Sequence, residues 1–187
     1  MTLNADILLH RALEKHKIRL SVLVAEIALW ADPEVHRILI AENTTGCFFP
    51  YTRRFKRGTD EIRGTVVNGI RLDDNTYANR AIKQAIGADI NAIGFEACHI
   101  WPNSCYDERY HTVIANLVLL PRALASLSDH NKEVCQSLQY RAFELYCWFP
   151  REEKQPEKPA FYPDNWRRPE LFTQRIATAI RNRRARS

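Results

Sequence analysis

Three groups of polar residues interrupt otherwise apolar sequence. His99 closes the run Glu96-Ala97-Cys98-His99-Ile100-Trp101-Pro102. Asn116 opens a second run, Asn116-Leu117-Val118-Leu119-Leu120-Pro121. Asp129-His130-Asn131 then precedes a long amphipathic stretch. An imidazole with an ordinary pKa of about 6.5 can take a proton from water near neutral pH. A carboxamide is a poor base but both donates and accepts hydrogen bonds. A carboxylate beside an imidazole can ligate a divalent cation. The set therefore suits proton abstraction from water beside a metal ion. Each residue also has a structural reading. A lone histidine in an apolar strand is more often a core or surface residue than a base, and Asp129 suits the first turn of a helix capped by Ser128.

The order and spacing tip the balance towards chemistry. His99-Ile100-Trp101-Pro102 has the form HIxP, and Asn116-Leu117-Val118-Leu119-Leu120 the form NLxxL. Over roughly residues 94–148 the chain resembles the HNH nucleases, whose unit is the ββα-metal fold. The resemblance implies an α+β protein with a ββα-metal (HNH) core within a mostly helical frame. It implies a metal-dependent endonuclease that hydrolyses phosphodiester bonds in DNA, of a small restriction or mobile-element type. His99 would be the general base, and Asn116 would pin the loop that orients it. His130, 14 residues after Asn116, would hold Mg²⁺ or another divalent cation such as Mn²⁺, with Asn131 or Asp129 in its place otherwise. Arg109 and His111, between the two runs, would face the nucleic acid. One departure matters: many family members carry Asp or His just before the base, and this chain carries Cys98, a soft ligand unsuited to Mg²⁺. Glu96 is an alternative oxygen donor, although strand alternation turns it away from His99.

Two alternatives stay open. One is a non-catalytic nucleic-acid-binding protein on a degenerate HNH scaffold. The other is a ribonuclease or toxin-like effector, since the residues do not separate RNA from DNA. Site-specific cutting of both strands would call for a two-fold homodimer.

The composition is that of an ordinary globular chain: 187 residues, 45% hydrophobic and 26% charged. No apolar run reaches the ~18 residues of a membrane helix, and the start lacks a signal-peptide pattern, so a cytoplasmic protein is expected. The five cysteines form no CxxC pair, so neither a disulfide framework nor a structural Zn²⁺ is expected. The net charge of +5 is a C-terminal feature, with seven arginines against two acids from Asp164 onward. A second basic cluster, Arg53, Arg54, Lys56 and Arg57, is interleaved with Phe49, Tyr51 and Phe55, which suits phosphate and base contacts.

The elements that must position these groups fall into three segments. Residues 1–93 read as an N-terminal nucleic-acid-binding region. Apolar spacing predicts helices on Ala5–Leu13, Leu20–Ala31 and Pro33–Ala41, β-prone sequence at 44–72, and a helix capped by Asp73-Asp74-Asn75 and stopped by Gly87. Residues 94–150 hold the HNH-like unit, with a helix from Ser128 to Trp148. Residues 151–187 read as a proline- and charge-rich arm ending in a basic helix over 170–184.

Overall fold

The computed structural model describes residues 11–43, 45–88 and 92–182. The centre of the molecule is the hairpin of β4 (Phe95–His99) and β5 (Leu117–Pro121), paired antiparallel from Phe95↔Pro121 to His99↔Leu117. Both faces of this hairpin are covered. Cys98, Val118 and Leu120 join a core cluster with Leu20, Val24, Leu138 and Ala142, while Ala97, Leu117 and Leu119 join a second with Leu39, Phe48, Ala78, Ile82 and Ile176. A strand buried on both sides needs no polar alternation, which is why Leu117–Leu120 is uniformly apolar. Each cluster draws on all three sequence segments.

Helices α1 (Leu20–Ile27) and α2 (Pro33–Asn43) precede the sheets. The predicted helix on Leu20–Ala31 stops early. Ala28 turns extended with ψ 130°, and Leu29 pairs with Leu119, exchanging both main-chain hydrogen bonds with it. Tertiary pairing outweighs local propensity here. Of the predicted helix on Ala5–Leu13, residues 11–15 are helical and residues 1–10 lie outside the described residues.

A small sheet of order β1-β3-β2 comprises β1 (Thr52–Arg54), β2 (Val66–Val67) and β3 (Ile70–Asp73), with β1 parallel and β2 antiparallel to β3. Asn68 and Gly69 close the β2–β3 hairpin at φ 51° and 79°, the conformation that favours Asn-Gly in two-residue hairpin turns. Helix α3 (Thr76–Ala85) follows and packs on the main hairpin.

After β5, the predicted helix from Ser128 to Trp148 is in fact two: α4 (Leu127–His130) and α5 (Lys132–Tyr146). Asn131 breaks them, with extended backbone and a side chain that accepts the Val134 N–H at 3.0 Å. The arm after Pro150 runs back over the N-terminal segment through Arg167 N–H to Ala25 O and Glu170 N–H to Trp30 O, and α6 (Gln174–Asn182) packs on α3. No helix among the described residues is long and apolar enough to cross a membrane.

Candidate active site

His99 is the last residue of β4 and is partly buried. Its Nε2 lies 2.9 Å from the main-chain oxygen of His111. A carbonyl only accepts, so Nε2 carries the proton, and the neutral ring keeps its lone pair on Nδ1. Burial, reinforced by the neighbouring His111, pushes the His99 pKa down to about 3. The ring is therefore neutral at physiological pH, with Nδ1 available as a base.

The segment that supplies this carbonyl, residues 102–116, is held by Asn116. Asn116 is fully buried. Its Nδ2 donates to Ser104 Oγ and to Tyr110 O, each at 2.9 Å, and its Oδ1 accepts the Trp101 N–H at 3.4 Å. One carboxamide thus ties both ends of the connection together. Thr112 anchors the same segment to Phe49 by hydrogen bonds in both directions. On the outer edge of β4, Asn79 Oδ1 accepts the Ala97 N–H and Asn75 Nδ2 donates to Ala97 O. Two amides from the start of α3 thereby satisfy backbone groups that an edge strand would leave unpaired.

His99 opens onto a cleft of about 670 Å³ whose walls include Arg54, Arg57, Arg122, Glu96, Asp74, Asp129 and His130. Among the described residues none of the three arginines forms an ion pair. The cleft thus sets a neutral imidazole among three arginines free of direct ion pairs and three carboxylates, so groups for a phosphate and for a cation share one lining.

His99, Asp129, His130, Arg54 and Arg57 are brought together, and several other expected residues are not. Asn131 is spent on capping α5 and is absent from the cleft lining. His111 cannot meet a phosphate: it is wholly buried, with Nε2 3.0 Å from Asp73 Oδ2. Arg109 is engaged by two carboxylates, Asp107 at 2.5 Å and Glu152 at 2.9 Å. Arg53 forms a two-pronged pair with Glu61 at 2.9 and 2.7 Å; strand alternation sends its neighbour Arg54 the other way, to the cleft. Lys56 is exposed. Arg181 ends α6 on the surface, and Arg183, Arg184 and Arg186 lie outside the described residues.

Sequence reasoning passed over Asp73, Asp74, Asn75, Asn79 and Arg122. Asp73 was legible only as a helix cap, and it does accept the Tyr77 N–H at 2.8 Å; its second partner, His111, lies 38 positions away.

Cys98 directly precedes His99 on β4. Its thiol is 5% exposed, and burial pushes its pKa up to about 12, so it is a neutral core group and no ligand for a hard cation. Among the described residues no three His, Cys, Asp or Glu side chains converge as a ready-made metal cage. The cleft does present oxygen and imidazole donors in Glu96, Asp129 and His130, while the Asp74 carboxylate is engaged by Arg63 at 2.8 Å and by the Thr76 hydroxyl at 2.6 Å. That donor set fits a hydrated Mg²⁺, which keeps most of its waters and takes one or two protein ligands together with substrate phosphate. It does not fit a structural Zn²⁺. No family model matches the chain, and no curated protein or solved structure matches it either.

Proposed function

We propose that this chain is a nucleic-acid phosphodiesterase of the HNH kind, an endonuclease acting on DNA, with RNA as the alternative polymer. The observation that carries the reading is the His99 Nε2 to His111 carbonyl contact at 2.9 Å, which leaves Nδ1 as the basic nitrogen of a ring that lines a cleft with Arg54, Arg57 and Arg122. The strand–strand–helix order of β4, β5 and α5, with His99 and Asn116 at the mouth of the hairpin, also supports a ββα-metal type of core.

The chemistry follows from what a phosphodiester lacks. Its charge repels nucleophiles, and its leaving alkoxide is poor. In the proposed step His99 Nδ1 takes a proton from water as the water oxygen bonds to phosphorus. The bond to the leaving oxygen breaks, and that alkoxide takes a proton from solvent. Arg54, Arg57 and Arg122 offset the phosphate charge. Asn116 holds the loop carbonyl that fixes the ring, and needs no contact with substrate. A hydrated Mg²⁺ or Mn²⁺, held by Asp129 or His130 and the substrate phosphate, would supply charge stabilisation at the phosphate oxygens when bound. The anionic substrate itself favours the imidazolium, so the basicity of His99 rises as the cleft fills.

A second reading is a nucleic-acid-binding protein without cleavage. Cys98 favours it, because the thiol stands where a ligand carboxylate would. Incubation of supercoiled plasmid with the protein, with and without Mg²⁺ or Mn²⁺, separates the two. Nicked or linear product that is lost in His99→Ala supports the nuclease. A shift in plasmid mobility without new ends at any metal concentration supports the binder.

A further inference from the structure

Asp73 and His111 lie behind the proposed base and touch neither the cleft nor a substrate. Asp73 ends β3 and is 4% exposed; His111 is 0% exposed. Burial alone would raise the Asp73 pKa, yet the hydrogen bonds from His111, the Tyr77 N–H and the Asp74 N–H together hold it below the ordinary carboxylate range. Asp73 Oδ2 already accepts the Tyr77 N–H at 2.8 Å, so it is an acceptor and His111 Nε2 donates to it across 3.0 Å. His111 in turn meets His99 twice. Its ring stacks on the His99 ring, with centroids 5.2 Å apart and planes 12° from parallel, and its main-chain oxygen receives the His99 Nε2–H. A shift of the His111 ring would displace both the stacking surface and the carbonyl.

We infer that Asp73 and His111 are positioning residues: the Asp73 carboxylate tethers the His111 ring, and His111, through ring and carbonyl together, locks His99 in the tautomer whose basic nitrogen is Nδ1. This rests on the reading of His99 as the base, but its geometry stands apart from any substrate. The logic is that of a metal- or substrate-facing imidazole whose other nitrogen is fixed by an outer partner, with the link lengthened by one residue. Arg54, from β1, is the other charged group acting on His99. It stands beside the base, outside the Asp73–His111 link. An Asp–His pair that served stability alone would leave the His99 tautomer unaffected.

The test is long-range ¹H–¹⁵N NMR of the histidine rings in the full chain, without substrate. The wild type should show His99 as one species, Nε2 protonated and Nδ1 bare, between pH 7.5 and 5.5. His111→Phe keeps an aromatic ring and the carbonyl but loses the donor to Asp73. Asp73→Ala removes the acceptor. In both, His99 should exchange between tautomers, and kcat for plasmid cleavage should fall about 10–100-fold with KM unchanged. Asp73→Asn keeps an oxygen acceptor at the same place and should stay close to wild type. A single Nε2–H tautomer in folded His111→Phe or Asp73→Ala would overturn the inference; should neither fold, a wild type in which His99 exchanges between tautomers would overturn it. A wild type that locks the tautomer but cuts no nucleic acid would remove the nuclease reading and leave this one standing.

Discussion

The two walls of the cleft are built to different standards. On the hairpin wall, His99 is stacked, hydrogen-bonded and backed by a buried carboxylate, while Asn116 satisfies three polar groups at once. On the α4 wall, Asp129 and His130 sit in a four-residue helix and both are exposed. A proton-transfer group must hold its geometry to a fraction of an ångström, and a core strand can do that. A group that meets a hydrated ion or a phosphate tolerates, and gains from, freedom to adjust. Under the proposed function, the first wall would carry the proton transfer and the second the adaptable contact.

The largest effect expected of a single substitution is on the hairpin wall. His99→Ala should lower cleavage by about 10²–10⁴-fold while far-ultraviolet circular dichroism and DNA binding stay near wild type. Turnover within a few-fold of wild type would remove His99 from the mechanism and erase the distinction between the walls.

Asn116 should dominate stability. Asn116→Ala leaves the Ser104 hydroxyl, the Tyr110 carbonyl and the Trp101 amide short of a partner, and is expected to cost on the order of 3 kcal/mol in urea unfolding. Asp129→Ala and His130→Ala, on exposed side chains, should each stay within about 0.5 kcal/mol. Equal costs on the two sides would mean the walls do not differ in rigidity.

Acidification sharpens the same contrast. Burial holds His99 at about 3 and His36 at about 4, whereas in the unfolded chain both titrate near 6.5. Between these values the unfolded state binds more protons, so stability falls as pH drops from about 6.5 towards 4 and levels off below the folded values. His36, which packs against Tyr146 and Trp148 with neither ring nitrogen partnered among the described residues, should contribute alongside His99. Urea midpoints at pH 7, 5.5 and 4.5 should therefore decline in the wild type and decline less in His36→Leu. The acid limb of kcat/KM should lie below the ordinary histidine range, because the free enzyme keeps His99 neutral there. A limb at 6.5 would separate His99 from the rate.

The smallest effects concern the basic residues. Arg54→Ala and Arg57→Ala should each reduce the salt dependence of DNA binding by about one unit of slope. Arg53→Ala should leave the slope nearly unchanged, since its guanidinium already faces Glu61. A slope change of the same size for Arg53 would show that the Glu61 pair opens on binding.

How much of this was legible varies by residue. His99 and Asn116 were legible because they flank one hairpin and its connection, so local spacing reports their proximity. Asp73 was not, because its partnership with His111 spans 38 positions, with α3 and β4 between them. The run Arg53-Arg54-Phe55-Lys56-Arg57 read as one basic patch until strand alternation and Glu61 divided it. Asn131 looked like a ligand beside His130, and its role as the cap of α5 depends on a helix break that apolar periodicity does not reveal.

The sequence by itself determined the apolar β4–β5 hairpin, the polar residues at its mouth, an α+β composition, the location of excess charge and the lack of paired zinc cysteines. These depend on side-chain type and near-neighbour spacing. Tertiary structure alone decided which arginines line the cleft, that Cys98 is a core thiol, that His111 is buried against His99 and that Asp73 meets its ring. Each of those follows from packing elements distant in the chain around one hairpin, where burial sets protonation and the nearest acceptor sets the tautomer.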